Sequence, residues 1–298
     1  MKITGSDHSD TLYGSKNEDI IRGYGGDDLI FVDAHEADGA TITDHVYAGA
    51  GDDMIRGLEV DYADRSDFAK GEDDETVIDG GKGRDVVVMH LANTTTADNV
   101  KFAFLNQIYR FSGVETFAYN LAWMTKAPTF TGTDWNETFT LDLYGTGNKV
   151  VAGGGNDVIN IVDGSGKFSG GAGKDLLISS FGENTLSGGT GKDVFLFQPS
   201  TAASAEQADT SEQEALSGQI EDFHHGKDSL ILMVESVTLA NLKNLDADTM
   251  LGHSRVNFDV FNKTIDYNAN SGAVTYKGDF VTSIGVHQNF DFTDVYFL

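Results

Sequence analysis

The chain contains no cysteine and only 2 prolines in 298 residues. Without thiols it has no disulfide staple, no thiolate nucleophile and no cysteine-ligated zinc. Proline this scarce excludes a polyproline linker or a collagen-like repeat. Basic residues are few: 20 Lys and Arg stand against 47 Asp and Glu, a formal net charge of -27. Nucleic acids are bound through Lys/Arg clusters, so this balance argues against them as partners, and an anionic membrane surface should repel the chain. No stretch approaches 18 apolar residues, so no helix that spans a bilayer is expected. The opening residues, MKITGSDHSD, lack the apolar run of a secretory leader.

Carboxylates and 35 glycines are what the chain has instead. Apolar residues make up 40% and include 19 Phe, too many for disorder alone. A length of 298 residues allows one to three domains. Carboxylates in such excess in a folding chain without disulfides point to bound cations as the staple.

The sequence repeats every nine residues. Gly5 to Phe31 divides into GSDHSDTLY, GSKNEDIIR and GYGGDDLIF. Each has Asp sixth (Asp10, Asp19, Asp28) and an aliphatic residue eighth (Leu12, Ile21, Ile30). AGAGDDMIR follows with Asp53 sixth; then GEDDETVID, with Thr76 sixth, and GGKGRDVVV, with Asp85 sixth. A second array keeps register from Leu143 to Leu196. Its strong repeats AGGGNDVIN, GGAGKDLLI and GGTGKDVFL place Asp157, Asp175 and Asp193 sixth. Weak repeats alternate with them and carry Asn148, Gly166 and Asn184 at that position.

Six glycine-rich residues can turn with carbonyls directed inward, because glycine accepts positive φ. The following three alternate, and the eighth side chain faces a core. Two such units make one coil of a parallel β-helix, and a coil buries its face only by stacking. Calcium takes six to eight oxygens. The expected donors are the sixth-position aspartates with carbonyls of the glycine turns, assigned to Gly23, Gly25, Gly49, Gly51, Gly81, Gly83, Gly153, Gly155, Gly171, Gly173, Gly189 and Gly191. With two repeats per coil, stacked neighbours are 18 residues apart. Asp157, Asp175 and Asp193 then line one side of the second array, with little or no calcium opposite. Asp10 and Asp28 stack likewise, and Val32 to Tyr47 bulges out so that Asp53 stacks on Asp28.

On these nonapeptides the chain resembles the RTX (repeats-in-toxin) family; GGAGKDLLI and GGTGKDVFL fit its pattern at every defining position. The resemblance implies several bound calcium ions and an all-β fold of two parallel β-rolls, right-handed β-helices of nonapeptide repeats. Antiparallel β segments would join and cap them. The expected division is a first roll over 1–88 with loop insertions, a β-rich bridge over 89–131, a second roll over 132–197, and an acidic loop, roll-closing segment and C-terminal β region over 198–298. IEDFHHGKDSLILM, from Ile220, resembles the segment that closes the last roll in secreted RTX proteases and lipases, so Asp222 and Asp228 are candidates for a terminal calcium site beside Asp193. TIDYNANSGAVTYKG reads as a hairpin around Asn270 to Gly272. The final DFTDVYFL resembles the uncleaved signal of type I secretion substrates, which implies that secretion apparatus as a partner and an extracellular or cell-surface location.

No catalytic motif surfaces. His35-Glu36 is not followed by the second His of a zinc-protease helix, no GxSxG elbow occurs, and Gly-Lys at 173–174 and 191–192 is followed by Asp, not Ser or Thr. His224-His225 and the two tryptophans, Trp123 and Trp135, are minor candidates for a metal and a sugar platform. The expected function is therefore non-catalytic: a secreted calcium-binding protein that folds on extracellular calcium and acts structurally at the surface, partnering itself or a polysaccharide. The alternatives are the calcium-binding, secretion or carbohydrate-binding module of an enzyme, and a small effector acting on host membranes.

Overall fold

The computed structural model describes residues 1–34, 44–61, 76–92, 99–101, 109–122, 129–142, 146–179, 183–197, 218–232, 265–276, 279–285, 290–291 and 294–297. Among them every element is a strand. In chain order these are β1 (Lys2–Thr4), β2 (Thr11–Tyr13), β3 (Ile20–Gly25), β4 (Leu29–Ala34), β5 (His45–Ala50), β6 (Met54–Asp61), β7 (Thr76–Lys82), β8 (Val86–Ala92) and β9 (Asn99–Lys101). Next come β10 (Tyr109–Ser112), β11 (Thr116–Ala122), β12 (Thr129–Thr131), β13 (Asn136–Asp142), β14 (Asn148–Gly154), β15 (Val158–Asp163), β16 (Gly166–Ala172), β17 (Leu176–Ser179), β18 (Asn184–Thr190) and β19 (Val194–Phe197). The chain closes with β20 (Gly218–Ile220), β21 (Ser229–Leu232), β22 (Ile265–Asn268), β23 (Ala273–Tyr276), β24 (Asp279–Ser283) and β25 (Val295–Phe297).

From β1 to β8 and from β11 to β21 successive strands alternate between sheets, as a two-strand coil requires. One 11-stranded sheet runs β2-β4-β6-β8-β11-β13-β15-β17-β19-β21-β25, and every pairing within it is parallel. The other strands form a five-stranded sheet, β1-β3-β5-β7-β10, and a nine-stranded one, β22-β23-β24-β20-β18-β16-β14-β12-β9. The bridge expected over 89–131 is thus built into the stack: β11 pairs with β8 on one side and β13 on the other. Two repeat arrays share one continuous sheet, and only the opposite side is split.

Eighth-position side chains make the core. Leu12, Ile30, Ile55, Val87, Phe117, Phe139, Ile159, Leu177, Phe195 and Leu230 follow one another along the long sheet, all buried. Ile21, Val46, Ile78, Phe130, Val150, Phe168, Leu186 and Ile220 face them from the other two sheets. Burying each stabilises by roughly 1.5–3 kcal/mol, but only because its coil is stacked.

The Val32–Tyr47 segment is less of a bulge than expected. Val32 to Ala34 lie in β4 and His45 to Tyr47 in β5, while 35–43 fall outside the described residues. β4 still pairs with β6, which stacks Asp53 on Asp28. The acidic loop expected between Phe197 and Gly218 also lies outside the described residues. The C-terminal hairpin forms as β22 and β23 with Asn268 to Gly272 in the turn. β25 is the last strand of the long sheet, paired with β21, and Val295 is buried.

Candidate metal centre

Each nonapeptide turn delivers its sixth residue to one edge of the stack, where the carboxylates form ladders. The Asp10 amide donates to Asp28 Oδ1 (2.8 Å), Asp28 to Asp53 (2.8 Å), Asp53 to Asp85 (2.9 Å) and Asp85 to Glu115 Oε2 (2.8 Å). Farther along, Glu137 donates to Asp157 Oδ1 (2.8 Å), Asp157 to Asp175 (2.8 Å), Asp175 to Asp193 (3.1 Å) and Asp193 to Asp228 (3.1 Å). One carboxylate oxygen of each rung is therefore consumed by the backbone.

The other oxygen differs from turn to turn. Oδ2 of Asp28, Asp53, Asp85, Asp157, Asp175 and Asp193 is buried with no hydrogen-bond partner among the described residues. A buried carboxylate oxygen left so costs several kcal/mol unless a cation meets it. Six repeating in register are a donor set in need of hard cations.

The turns supply the remaining donors. The second and fourth residues of these turns have positive φ: Gly49 and Gly51, Gly81 and Gly83, Gly153 and Gly155, Gly171 and Gly173, Gly189 and Gly191. Their backbones stack directly. A Cβ on Gly171 would meet the Gly153 carbonyl oxygen at 2.1 Å, and one on Gly173 the Gly155 oxygen at 1.7 Å. Carbonyl oxygens from second and fourth positions thus stand against the turn stacked on them, in repeating rows. All-oxygen donors of this kind fit calcium, which accepts six to eight of them at flexible angles. Bound calcium would supply the positive charge that keeps these carboxylates ionised.

One repeat corrects the expected assignment. In GYGGDDLIF the left-handed positions are Tyr24 (φ 79°) and Gly26 (φ 89°), not Gly23 and Gly25. Gly23 serves differently: its missing Cβ leaves room for Asp28 Oδ2, which a Cβ would meet at 2.0 Å.

Three turns close on themselves. Ser6 occupies the second position before Asp10, and both its amide (2.6 Å) and its hydroxyl (2.8 Å) donate to Asp10 Oδ2. Ser15 does the same to Asp19 Oδ2 (2.5 and 2.8 Å). Thr133 donates its amide to Glu137 Oε2 (3.0 Å) and its hydroxyl to Glu137 Oε1 (3.1 Å). In all three the hydroxyl also accepts the fourth-position amide, from His8, Asn17 or Trp135.

On the opposite edge, Asp19 is buried and donates its amide to Asp44 Oδ1 (2.8 Å); the Met1 ammonium lies 2.8 Å from Asp19 Oδ1. In the second array that edge carries the neutral amides Asn148 and Asn184 instead, and Asn184 Oδ1 accepts the Gly166 amide (3.1 Å). Carboxylates thus line one edge of the second array and amides the other.

Asp222 and Asp228 are placed as caps. Asp222 accepts from the Gly188 and Gly189 amides (3.0 and 2.7 Å) and the Ser187 hydroxyl (2.7 Å). Asp228 Oδ1 takes the Asp193 amide, and its Oδ2 the His224 amide (2.8 Å). Hydrogen bonds engage both oxygens of each, so neither leaves one open as the repeat aspartates do. His225 Nδ1 lies 2.8 Å from Asp294 Oδ2, which also accepts the Asp291 amide (3.0 Å), while Asp294 Oδ1 accepts the Gly226 amide (3.0 Å). These contacts clasp the start of β25 to the roll-closing segment. Trp135 stacks on Phe117 with centroids 4.3 Å apart, a packing role; Trp123 lies outside the described residues.

Glu115, Glu137 and Asp44 were not among the expected site residues. Glu137 was legible: GTDWNETFT has an acidic residue sixth and Phe139 eighth. A second ladder was also missed. Fifth-position side chains bond the next coil: Asp27 Oδ1 accepts from the Asp52 amide (2.9 Å), Asp52 from Arg84 (2.9 Å), Asn136 from Asn156 (2.7 Å) and Asn156 from Lys174 (2.8 Å).

Burial is the main force on these acids. It raises Asp157 to about 9, Asp175 to about 7, and Asp53 and Asp193 to about 6, with neighbouring carboxylates adding to the rise. Folded values above the unfolded value near 3.9 mean that the metal-free fold binds more protons than the unfolded chain. Its stability is therefore greatest at low pH and falls as pH rises from about 4 through those folded values. In EDTA, lowering pH from 8 to 5.5 is expected to recover part of the strand signal and to raise the melting temperature of what folds. With calcium the sign reverses, because protons compete with the ion. Melting curves at both pH values, with and without calcium, check this.

Comparison with known families agrees. The model of the RTX calcium-binding nonapeptide repeat matches four copies, over residues 4–34, 38–59 and 162–196. No curated protein matches the sequence. The match omits 76–88 and 129–161, where the parallel stack nonetheless continues. With these repeats stacked as a β-roll and six buried carboxylate oxygens in register, the chain carries calcium-binding nonapeptide repeats of the RTX type.

Proposed function

We propose that this protein is a secreted, non-catalytic calcium binder that folds on extracellular calcium and then serves a structural or interaction role at the cell surface. The observation that carries the reading is the row of buried aspartate oxygens without partners. Such a roll is favoured where calcium is plentiful and disfavoured where it is scarce, so export as a loose chain and folding outside follow from one property. Extracellular modules bind calcium with Kd near 10⁻⁴–10⁻³ M, which suits roughly millimolar surroundings and leaves the sites empty in a cytosol. Calcium titration by calorimetry should give binding in that range, and magnesium should not replace it; no heat at millimolar calcium would sink the reading. Expression beside a type I exporter, followed by separation of medium, surface and cytosol, tests the location. Retention in the cytosol alone contradicts it.

Polysaccharide binding is the second reading, and outward aromatics favour it. Tyr13 is 64% exposed and stacks flat on Phe31, with centroids 5.0 Å apart and planes within 4°. Tyr24 and Tyr47 are exposed on another sheet, where Arg22 lies over the Tyr47 ring. Calcium-dependent assembly in light scattering supports the surface role. Retention on a polysaccharide column that Tyr13→Ala abolishes supports the second.

A further inference from the structure

We propose that the residue at the second position of each turn decides whether its carboxylate takes calcium, and that calcium consequently loads in two separate rows, Asp28-Asp53-Asp85 and Asp157-Asp175-Asp193, divided by a metal-free seam at Glu115 and Glu137. This rests on the calcium reading above and adds to it where in the chain the ion goes.

The correlation holds at the outer oxygen of each of these turns; Asp19 Oδ1, buried without a hydrogen bond, is faced by the Met1 ammonium instead. Where the second residue has positive φ, as Tyr24, Gly49, Gly81, Gly153, Gly171 and Gly189 do, the carboxylate keeps a buried oxygen without a partner. Where it is Ser6, Ser15 or Thr133, amide and hydroxyl both turn onto the carboxylate, and Asp10 Oδ2, Asp19 Oδ2 and both Glu137 oxygens are satisfied. The two conditions exclude each other, because one backbone amide has one direction. Ser and Thr also avoid the left-handed region that glycine enters freely. The rule explains why sixth-position acids of one array are unequal.

The seam has three further features. First, its turn is short: Ser112 pairs with Asp79 and Thr116 with Val86, so residues 113–115 span what 80–85 span in the coil before. The missing residues are those whose carbonyls would face an ion. Second, the register slips by two. Thr116 pairs with Asn136, which sets Glu115 beside Trp135 and Glu137 beside Phe117. A slip of two keeps every side chain on its own face, so the core continues while the ladder breaks. The Glu115 amide accordingly donates to the Asp85 carbonyl (3.2 Å). Third, aromatic packing holds this coil: Phe111, Phe117 and Trp135 cluster edge-on and stacked, Tyr119 packs on Phe139, and the Tyr119 hydroxyl lies 3.5 Å from Glu137 Oε1. Such pairs add about 0.5–1.5 kcal/mol each beyond their burial. The seam thus has its own source of stability, and calcium donors are lacking there.

The test uses the full chain, with calcium as the probe. Bound calcium is measured by equilibrium dialysis, and amide exchange is followed by mass spectrometry across a calcium titration. Asp175→Ala should lose bound calcium and the protection of residues 148–197, while residues 20–58 keep their calcium midpoint. Ser6→Gly, in the exposed first turn, should gain one further ion, as should Thr133→Gly combined with Glu137→Asp. Loss of protection in both rows together in Asp175→Ala would overturn the two-row proposal, and so would unchanged calcium in both gain variants. If the unaltered chain binds no calcium, the calcium reading itself fails and the inference goes with it.

Discussion

Stripped of calcium at neutral pH, the full chain is expected to lose most of its strand signal and to recover it when calcium returns. Neighbouring rungs in parallel strands lie about 4.8 Å apart. Two carboxylates at that distance repel by about 3 kcal/mol at an effective dielectric constant near 20. Four such neighbouring pairs occur in the rows Asp28-Asp53-Asp85 and Asp157-Asp175-Asp193. Their summed repulsion is comparable with the whole stability of an ordinary domain, about 5–15 kcal/mol. Partial protonation relieves some of it, as the raised values of Asp157 and Asp175 indicate, but at the cost of the unfolded chain's ionisation. Calcium removes the repulsion and adds binding: a single site filled to 100 times its Kd stabilises by about 2.7 kcal/mol. Circular dichroism before and after chelation checks this, and an unchanged spectrum in EDTA would contradict it. Magnesium insists on tight octahedral geometry and retains its waters, so it should not restore the signal.

The second large effect separates two adjacent glycines. Gly26→Ala is expected to destabilise the calcium-loaded protein by about 3 kcal/mol or more, and Gly25→Ala by no more than about 0.5 kcal/mol. Gly26 has φ 89°, and a Cβ there would fall 2.4 Å from the His8 carbonyl carbon and the Ser9 nitrogen. Those are backbone atoms of the stacked coil and have nowhere to move. At Gly25 the nearest atoms to a Cβ stand at 3.6 and 3.7 Å, ordinary contact. Urea midpoints of the two variants decide the matter; equal losses would show that the turn's left-handed positions are misplaced.

This pair also marks how far the sequence could be read. The nine-residue period put Asp28 sixth and Ile30 eighth correctly, because one is a polar residue that has to face a turn and the other an apolar one that has to face the core. It could not tell which residues of GYGG take the left-handed conformation, since Tyr24 adopts one against its ordinary preference. The sided second array was legible from Asp157, Asp175 and Asp193 alone. Glu115 and Glu137 were harder, because they sit where glycine thins out and aromatics replace it. Glu115 lies in a turn of three residues that no nonapeptide count can register. The continuity of the long sheet through β11 was hidden for the same reason: parallel pairing needs alternation, not repeats, and TFAYNLA has the alternation only. Resemblance to a roll-closing segment made Asp222 and Asp228 candidate ligands, and only geometry shows that amides and a hydroxyl already engage their oxygens.

Anomalous diffraction from crystals grown in calcium tests the central claim most directly. The account predicts calcium peaks about 2.3–2.6 Å from Oδ2 of Asp28, Asp53, Asp85, Asp157, Asp175 and Asp193. Peaks absent from those six oxygens, with the roll still folded, would contradict it.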